Sequence, residues 1–191
     1  MHAKDQTLDT PQGDALPVPA GGSILRGAHF YAVRVFFEDT DLSGVAYHAN
    51  YLRWFERARS DLLRMLHIDQ RAAHETGEGA YAVSDLAIRY ASPARLDDDV
   101  LIETRAVQIG RASCKLNQRA WRGAVPGKAL LAEMDVRVGF VAPNGRPRRQ
   151  PEEWLHAFQD FITRSPEPGI SADLTPARGG ALPAASPDPK A

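Results

Sequence analysis

The sequence predicts a two-layer α+β domain in which one long helix packs against an antiparallel sheet. Two observations lead to this prediction. One long amphipathic segment follows the first strand pattern, and four further strand patterns then follow without another helix. The order is β-α-β-β-β-β with a short terminal helix, whereas a ferredoxin-like fold needs a second crossover helix between strands. Because the apolar stripe of the long helix is wide and aromatic, we expect a sheet of about five strands that curves around it.

The first strand and the long helix are predicted from two different periodicities. Residues 29–37 form a strand pattern that is apolar on both faces, and one face carries Tyr31, Val33, Val35 and Phe37. A short acidic loop follows. Apolar residues then recur at steps of three and four, which places them along one side of a helix. They are Tyr51, Phe55, Ala58, Leu62 and Leu66.

The middle of the chain contains the four remaining strand patterns. They cover residues 81–90, 99–109, 112–121 and 130–140. Gly110 and Arg111 predict a tight hairpin between the second and third of them. The last pattern alternates between apolar and charged residues, as expected for a strand with one buried face. A final helix over residues 152–162 begins after Pro151, a residue favoured at helix starts.

Composition indicates an ordinary soluble protein. The chain has 191 residues and a formal net charge of -1, so no overall field attracts nucleic acid or an anionic membrane. No segment approaches the ~20 apolar residues of a transmembrane helix, and the first residues are a poor signal peptide. The single cysteine, Cys114, excludes an intrachain disulfide or a cysteine-built zinc site, and its mid-strand position predicts a buried thiol. We therefore expect a cytoplasmic protein.

Two segments differ in composition from the predicted domain. Residues 1–27 contain scattered Pro and Gly, and residues 164–191 are rich in Pro, Ala, Gly and Ser. Such segments cannot bury enough apolar surface to offset the entropy lost on ordering. We therefore expect two disordered tails around one domain at residues 28–163.

An acidic loop lies between the first strand and the long helix. It reads EDTD at residues 38–41 and is closed by Gly44. The helix that follows offers unpaired backbone N–H groups and a positive dipole end beside a carboxylate, which suits catalysis. An Asp in this position also fits a helix cap or an Asx turn. A calcium loop is not expected, because its twelfth position should be Glu and is Asn50.

Three segments together resemble a known family. They are FEDTDLSGVAYHANYLRWFERAR from residue 37, YASPARLDDDV from residue 90 and GRPRRQP from residue 145. They resemble hotdog-fold acyl-CoA thioesterases of the 4-hydroxybenzoyl-CoA thioesterase type, and are most similar to the branch associated with the Tol-Pal system of Gram-negative bacteria. The resemblance covers residues 29–162. It implies a hotdog fold, in which a curved antiparallel sheet wraps a long central helix.

The resemblance also implies roles for individual residues. The family's catalytic carboxylate falls on Asp41, which would act as a general base on water or as a nucleophile that forms a mixed anhydride. The backbone N–H of His48 would polarise the thioester oxygen, and its side chain would orient water or substrate. Tyr47 and Tyr51 would line the acyl pocket. Asp39 is expected to stabilise the loop, and His48 and Tyr51 also fit ordinary capping and core roles.

The implied reaction converts acyl-CoA and water into a carboxylic acid and free coenzyme A, without a metal or redox cofactor. Family members work as homodimers or homotetramers with the site between subunits. One alternative is a non-catalytic module that binds acyl-CoA or acyl carrier protein and is linked to envelope maintenance. A second is hydration of an enoyl thioester, which usually uses an Asp-x5-His arrangement, whereas six residues separate Asp41 from His48. The sequence does not identify the acyl group of the substrate.

Several arginines are candidates for the phosphates of coenzyme A. Arg146, Arg148 and Arg149 cluster in one turn, and Arg89 and Arg95 lie near the second strand of the sheet pattern. The clustered arginines also fit contact with anionic lipid or an ordinary solvated turn. The sequence does not choose among these.

Overall fold

The computed structural model describes residues 19–163, which form three helices and one six-stranded antiparallel sheet. The strands are β1 (Ser23–Leu25), β2 (Ala28–Arg34), β3 (Ala80–Tyr90), β4 (Asp99–Ile109), β5 (Ser113–Arg122) and β6 (Leu130–Val141). The helices are α1 (His48–Met65), α2 (Gln70–Glu75) and α3 (Glu152–Thr163), and a 3-10 turn covers Phe37–Asp39. The predicted α+β class is confirmed.

The order of the strands differs from their order along the chain. It is β1-β2-β4-β5-β6-β3, so β2 and β3, which are neighbours in sequence, lie near opposite edges of the sheet. The connection from β2 to β3 crosses the whole sheet and contains α1. Long strands β4, β5 and β6 form the centre through antiparallel pairs. The β3 strand is a sheet edge and pairs only with β6 among the described strands.

The core lies between α1 and one face of the sheet. The helix contributes Tyr51, Trp54, Phe55, Ala58 and Leu62, each at most 2% exposed. Sheet residues such as Ile102, Leu131 and Met134 pack in the same cluster. Burying one large apolar side chain contributes about 1.5–3 kcal/mol, so this stripe is the main reason that the helix stays on the sheet. The predicted helix stripe and the buried Cys114 thiol are both observed.

The first strand ends earlier than the sequence predicts. It stops at Arg34, and Phe37 is 82% exposed instead of buried. The side chain of Asp39 accepts a hydrogen bond from the Phe36 backbone N–H at 2.9 Å, and the chain turns there into the 3-10 segment. A local side-chain to backbone bond therefore overrides the apolar alternation.

Two further elements were not predicted. The short β1 lies inside the segment assigned to the N-terminal tail and pairs with β2. The short α2 follows α1 and is capped by Asp69, whose carboxylate accepts from the Ala72 N–H. The rest of the predicted tails, residues 1–18 and 164–191, lies outside the described residues. No helix between residues 19 and 163 is long and apolar enough to cross a membrane.

Candidate active site

The acidic loop holds Asp41 in an exposed, hydrogen-bonded turn. Its Oδ1 accepts hydrogen bonds from the Ser43 backbone N–H at 2.8 Å and from the Ser43 hydroxyl. The turn closes through the Gly44 N–H, which donates to the Asp41 carbonyl at 2.9 Å. Gly44 has a φ of 72°, a left-handed conformation that glycine adopts without strain. The Asx-turn geometry and an accessible carboxylate therefore coexist at this residue.

The surroundings of Asp41 favour its ionised form. The Ser43 hydroxyl, the Ser43 N–H and the nearby His48 lower the pKa of this carboxyl below its ordinary value. Hydrogen bonds to a carboxylate stabilise the charged state. Asp41 is therefore a carboxylate at neutral pH, as either a general base or a nucleophile requires.

Residues around the loop hold it against the start of α1. The Tyr47 N–H and the Asn50 side-chain amide both donate to the Asp39 carbonyl, at 2.8 and 2.9 Å. The Ala46 N–H donates to the Ala94 carbonyl at 2.8 Å, and this joins the loop to the segment between β3 and β4. The Asp39 side chain accepts from Phe36, as a loop-stabilising residue would. The carboxylate and the helix end are therefore held together by contacts from both sides.

The first turn of α1 presents unpaired backbone donors. Tyr47 is the N-cap and makes no side-chain capping bond. Across residues 19–163, no acceptor is found for the N–H groups of His48 and Ala49. An oxyanion can accept hydrogen bonds from such groups and is also favoured by the helix dipole.

A cavity of about 300 Å³ lies beside this helix end. Its lining includes His48, Tyr51 and Tyr90, together with the backbone turn that contains Ser92 and Pro93. The Tyr51 ring lies 5.5 Å from that of Tyr90, and the Tyr90 ring lies 6.2 Å from that of His48. A larger groove of about 660 Å³ lies at the far end of α1, but its lining contains neither the acidic loop nor a helix N-terminus. The smaller cavity is therefore the candidate for the reacting group.

The four predicted site residues lie in one region but in different environments. Asp41 is on the exposed loop, and His48 begins α1 beside it. Tyr47 is 47% exposed, and its ring centroid lies 4.4 Å from that of His48 with the two planes tilted by 56°. Tyr51 is only 2% exposed, and its hydroxyl accepts from the Ala94 N–H at 2.9 Å. It thus combines the core and the cavity-wall role.

Sequence reasoning missed Tyr90 as part of this site. Its hydroxyl donates to the carbonyl of His48 at 3.0 Å, although the two residues are 42 positions apart in the sequence. The only local signal is its position two residues before Ser92-Pro93, where β3 ends.

The candidate arginines differ in how much they are already bonded. Arg148 donates to the Gly77 and Glu78 carbonyls, at 3.2 and 2.6 Å, and Arg89 pairs with Glu133 at 3.4 Å. Arg95 forms a backbone bridge with Val45, next to the acidic loop.

Within the part of the chain that the structure describes, no three His, Cys, Asp or Glu side chains converge as a metal site.

Comparison with known proteins gives a consistent result. Residues 43–126 match the thioesterase superfamily. The acyl-CoA thioesterase YbgC of Haemophilus influenzae is 37% identical over 127 residues, which is 66% of this chain and 93% of that protein. The acyl-CoA thioester hydrolase YbgC of Escherichia coli is 36% identical over 130 residues, 68% of this chain and 94% of that protein.

Solved structures show the same fold. A probable thioesterase from Bartonella henselae has a TM-score of 0.59 and 32% identity, over 65% of this chain and 99% of the other. A mutant 4-hydroxybenzoyl CoA thioesterase, complexed with 4-hydroxybenzoyl CoA, has a TM-score of 0.62 and 20% identity over 69% and 98%. The fold and the similarity to known proteins confirm the predicted hotdog thioesterase. The chain belongs to the thioesterase superfamily, in the family of the YbgC acyl-CoA thioesterases.

Proposed function

We propose that this protein hydrolyses acyl-CoA thioesters at the site formed by Asp41 and the first turn of α1. One observation carries the proposal: an ionised, accessible carboxylate lies beside a helix end whose His48 and Ala49 N–H groups have no acceptor in the described part of the chain. Thioester hydrolysis needs an activated oxygen and a stabiliser for the oxyanion. The leaving thiolate needs little acid assistance, because the pKa of a free thiol is near 8.5.

The reaction can follow two routes from this geometry. In the first, Asp41 takes a proton from water, and the resulting hydroxide attacks the thioester carbonyl. In the second, an Asp41 oxygen attacks the carbonyl itself, and water then hydrolyses the mixed anhydride. In both routes the carbonyl oxygen becomes negatively charged and accepts a hydrogen bond from the His48 N–H. In both routes the C–S bond breaks directly after this attack, in the second route before the anhydride is hydrolysed, and the coenzyme A thiolate leaves and takes up a proton.

The test is release of free thiol from a panel of acyl-CoAs by wild type, Asp41→Asn and Asp39→Asn. Each substitution removes one negative charge and keeps side-chain shape. We expect Asp41→Asn to lose about 100-fold or more in kcat, because no carboxylate remains to activate the attacking oxygen. Asp39→Asn should stay within about fivefold, because its side-chain oxygen can still accept the Phe36 N–H.

Two results would contradict the proposal. Equal activity of wild type and Asp41→Asn would assign Asp41 a structural role only. Binding of acyl-CoA by wild type without thiol release would favour the alternative, a binding module for acyl-CoA or acyl carrier protein. The same panel ranks aromatic, short-chain and long-chain acyl groups, and acyl carrier protein thioesters can be added to it.

We further propose that two copies pair through β3. This edge strand is 11 residues long and carries three partly exposed apolar side chains: Val83 at 47%, Leu86 at 40% and Tyr90 at 42%. A long apolar edge strand readily pairs with another chain. A two-fold pairing here would also bring a second copy next to the cavity, since Tyr90 ends the strand and lines that cavity.

Light scattering tests this assembly. We expect twice the chain mass, or four times if dimers associate further, and a shift towards one chain mass for Leu86→Lys. The added charges would face each other across a two-fold edge and be desolvated there. A monomeric wild type at assay concentration would contradict the proposal.

A cytoplasmic location is likewise proposed, because the substrate class implies access to coenzyme A. Cell fractionation that finds the protein outside the cytoplasm would overturn it.

A further inference from the structure

We propose that Tyr90 is a positioning residue for catalysis: its hydroxyl holds and polarises the first peptide of α1, so that Ala49 supplies a second backbone donor to the oxyanion. The inference rests on the proposed function, because it concerns the same helix end. Tyr90 lies on the edge strand β3. The other groups of the proposed site come from the loop and helix of residues 37–51.

The contact that carries this inference is a single hydrogen bond. The Tyr90 hydroxyl donates to the His48 carbonyl oxygen at 3.0 Å. That carbonyl and the Ala49 N–H belong to the same peptide group. The bond therefore fixes the orientation of the group whose N–H points out of the helix N-terminus.

The same bond strengthens the donor at the other end of the peptide. When the oxygen of an amide accepts a hydrogen bond, the amide is polarised and its N–H becomes a better donor, since bonds in a chain reinforce one another. No acceptor for the Ala49 N–H is present between residues 19 and 163. An oxyanion at the helix end could accept from it alongside the His48 N–H.

The Tyr90 hydroxyl keeps its proton under working conditions. Burial raises the pKa of Tyr90 above its ordinary value of about 10. At neutral pH the group is therefore a hydrogen-bond donor and not a phenolate. A carbonyl oxygen can only accept, so the direction of the bond is settled.

The ring of Tyr90 is held independently of its hydroxyl. It lies edge-on to the Tyr51 ring at 5.5 Å and to the His48 ring at 6.2 Å, and it lines the 300 Å³ cavity. A Tyr90→Phe substitution keeps both ring contacts and the cavity wall while it removes the hydrogen bond. This makes the variant a specific probe of the hydroxyl.

The experiment measures kcat, KM and the thermal midpoint for wild type, Tyr90→Phe and a matched control, Tyr31→Phe, on the best acyl-CoA of the panel. Tyr31 lies on β2, and its hydroxyl has no hydrogen bond within the described residues. We expect kcat of Tyr90→Phe to fall about fivefold with KM within about twofold, since the lost bond acts on the transition state. Its midpoint should stay within ~2 °C, and Tyr31→Phe should match wild type.

Each other outcome overturns the inference. An unchanged kcat for Tyr90→Phe, with Asp41→Asn inactive, removes the role of Tyr90 and leaves the proposed function intact. A raised KM at constant kcat assigns Tyr90 to substrate binding. A fall in kcat together with a lower thermal midpoint assigns it to packing. A wild type that releases no thiol overturns the proposed function and this inference with it.

Discussion

The two parts of α1 differ in how their polar groups are satisfied. Its first turn is open: His48 and, in the adjoining loop, Asp41 are exposed, and the His48 and Ala49 N–H groups lack acceptors within the described chain. Further along, the same helix carries Asp61, which is 8% exposed and accepts bonds from His29 Nε2 and the Gly22 N–H, both at 2.8 Å. The first turn of α1 is therefore available for function, whereas the part around Asp61 contributes to stability. Unsatisfied groups are tolerated where substrate and water reach them, and are paired where they are buried.

A second buried network reinforces the closed part of the helix. Arg59 donates to the Gln118 side-chain oxygen at 2.6 Å, and Gln118 in turn donates to Thr104 Oγ1 at 2.9 Å. Gln118 also donates to the Phe55 carbonyl at 3.0 Å, which joins β5 directly to the helix backbone. Because the buried polar groups of Arg59 and Gln118 are paired with specific partners, these bonds favour a single position of α1 on the sheet. These bonds hold the buried part of α1, whereas its open end is held by the Asn50 bond to the acidic loop and by the Tyr90 hydroxyl.

The buried pairing of Asp61 is most sensitive to substitution at Gly22. A Cβ at this position would lie closer to the Phe30 carbonyl, His29 Nε2 and Asp61 Oδ2 than real Cβ atoms approach. The backbone oxygen cannot yield, so β1 must shift and the Gly22 bond to Asp61 is lost. We expect Gly22→Ala to reduce the free energy of unfolding by ~2 kcal/mol. Urea denaturation of the variant and wild type measures this.

Gly21→Ala is the matched control for that prediction. Its nearest contact would be Asp61 Oδ1 at 3.8 Å, an ordinary van der Waals distance. We expect a change of no more than about 0.5 kcal/mol, and kcat of either variant should stay close to wild type when it is folded. Equal destabilisation by both substitutions would show that crowding at the His29–Asp61 pair is not the cause.

A smaller effect is expected from pH. His29 is fully buried, its Nδ1 has no partner among residues 19–163, and burial lowers its pKa from the ordinary 6.5 despite the Asp61 carboxylate. The unfolded chain therefore binds this proton at a higher pH than the folded protein. The contribution of neutral His29 is complete above pH ~6.5 and is lost as pH falls below it, with a slope of at most about 1.4 kcal/mol per pH unit.

The control for this prediction is His29→Gln, which keeps a neutral donor for Asp61. Urea denaturation between pH 7.5 and 5.5 measures how the free energy of unfolding changes with pH. This pH dependence should be smaller for His29→Gln than for wild type, by an amount that corresponds to at most one bound proton. Identical slopes would mean that His29 binds its proton equally in both states. Thioesterase activity is not expected to follow the pH dependence of stability, because Asp41 stays ionised between pH 7.5 and 5.5.

Local patterns in the sequence were enough for most of the fold. The helix stripe from Tyr51 to Leu62 and the alternation in β6 follow from periods of 3.6 and 2, which depend only on neighbouring residues. Phe37 shows the limit of this reasoning, because the Asp39 side chain ended the strand by a bond that alternation does not include. β1 was missed for a related reason. Three residues carry too little periodicity, and their pairing with β2 stabilises them.

The sequence by itself determined the element types, the acidic loop beside the helix start and, through its resemblance, the family. Only the tertiary structure decided which distant residues meet that loop. Tyr90 reaches His48 across 42 residues and Asp61 reaches Gly22 across 39, because the strand order places β3 at one edge and β1 at the other. Such contacts depend on the path of the connection that contains α1, and no local period encodes that path.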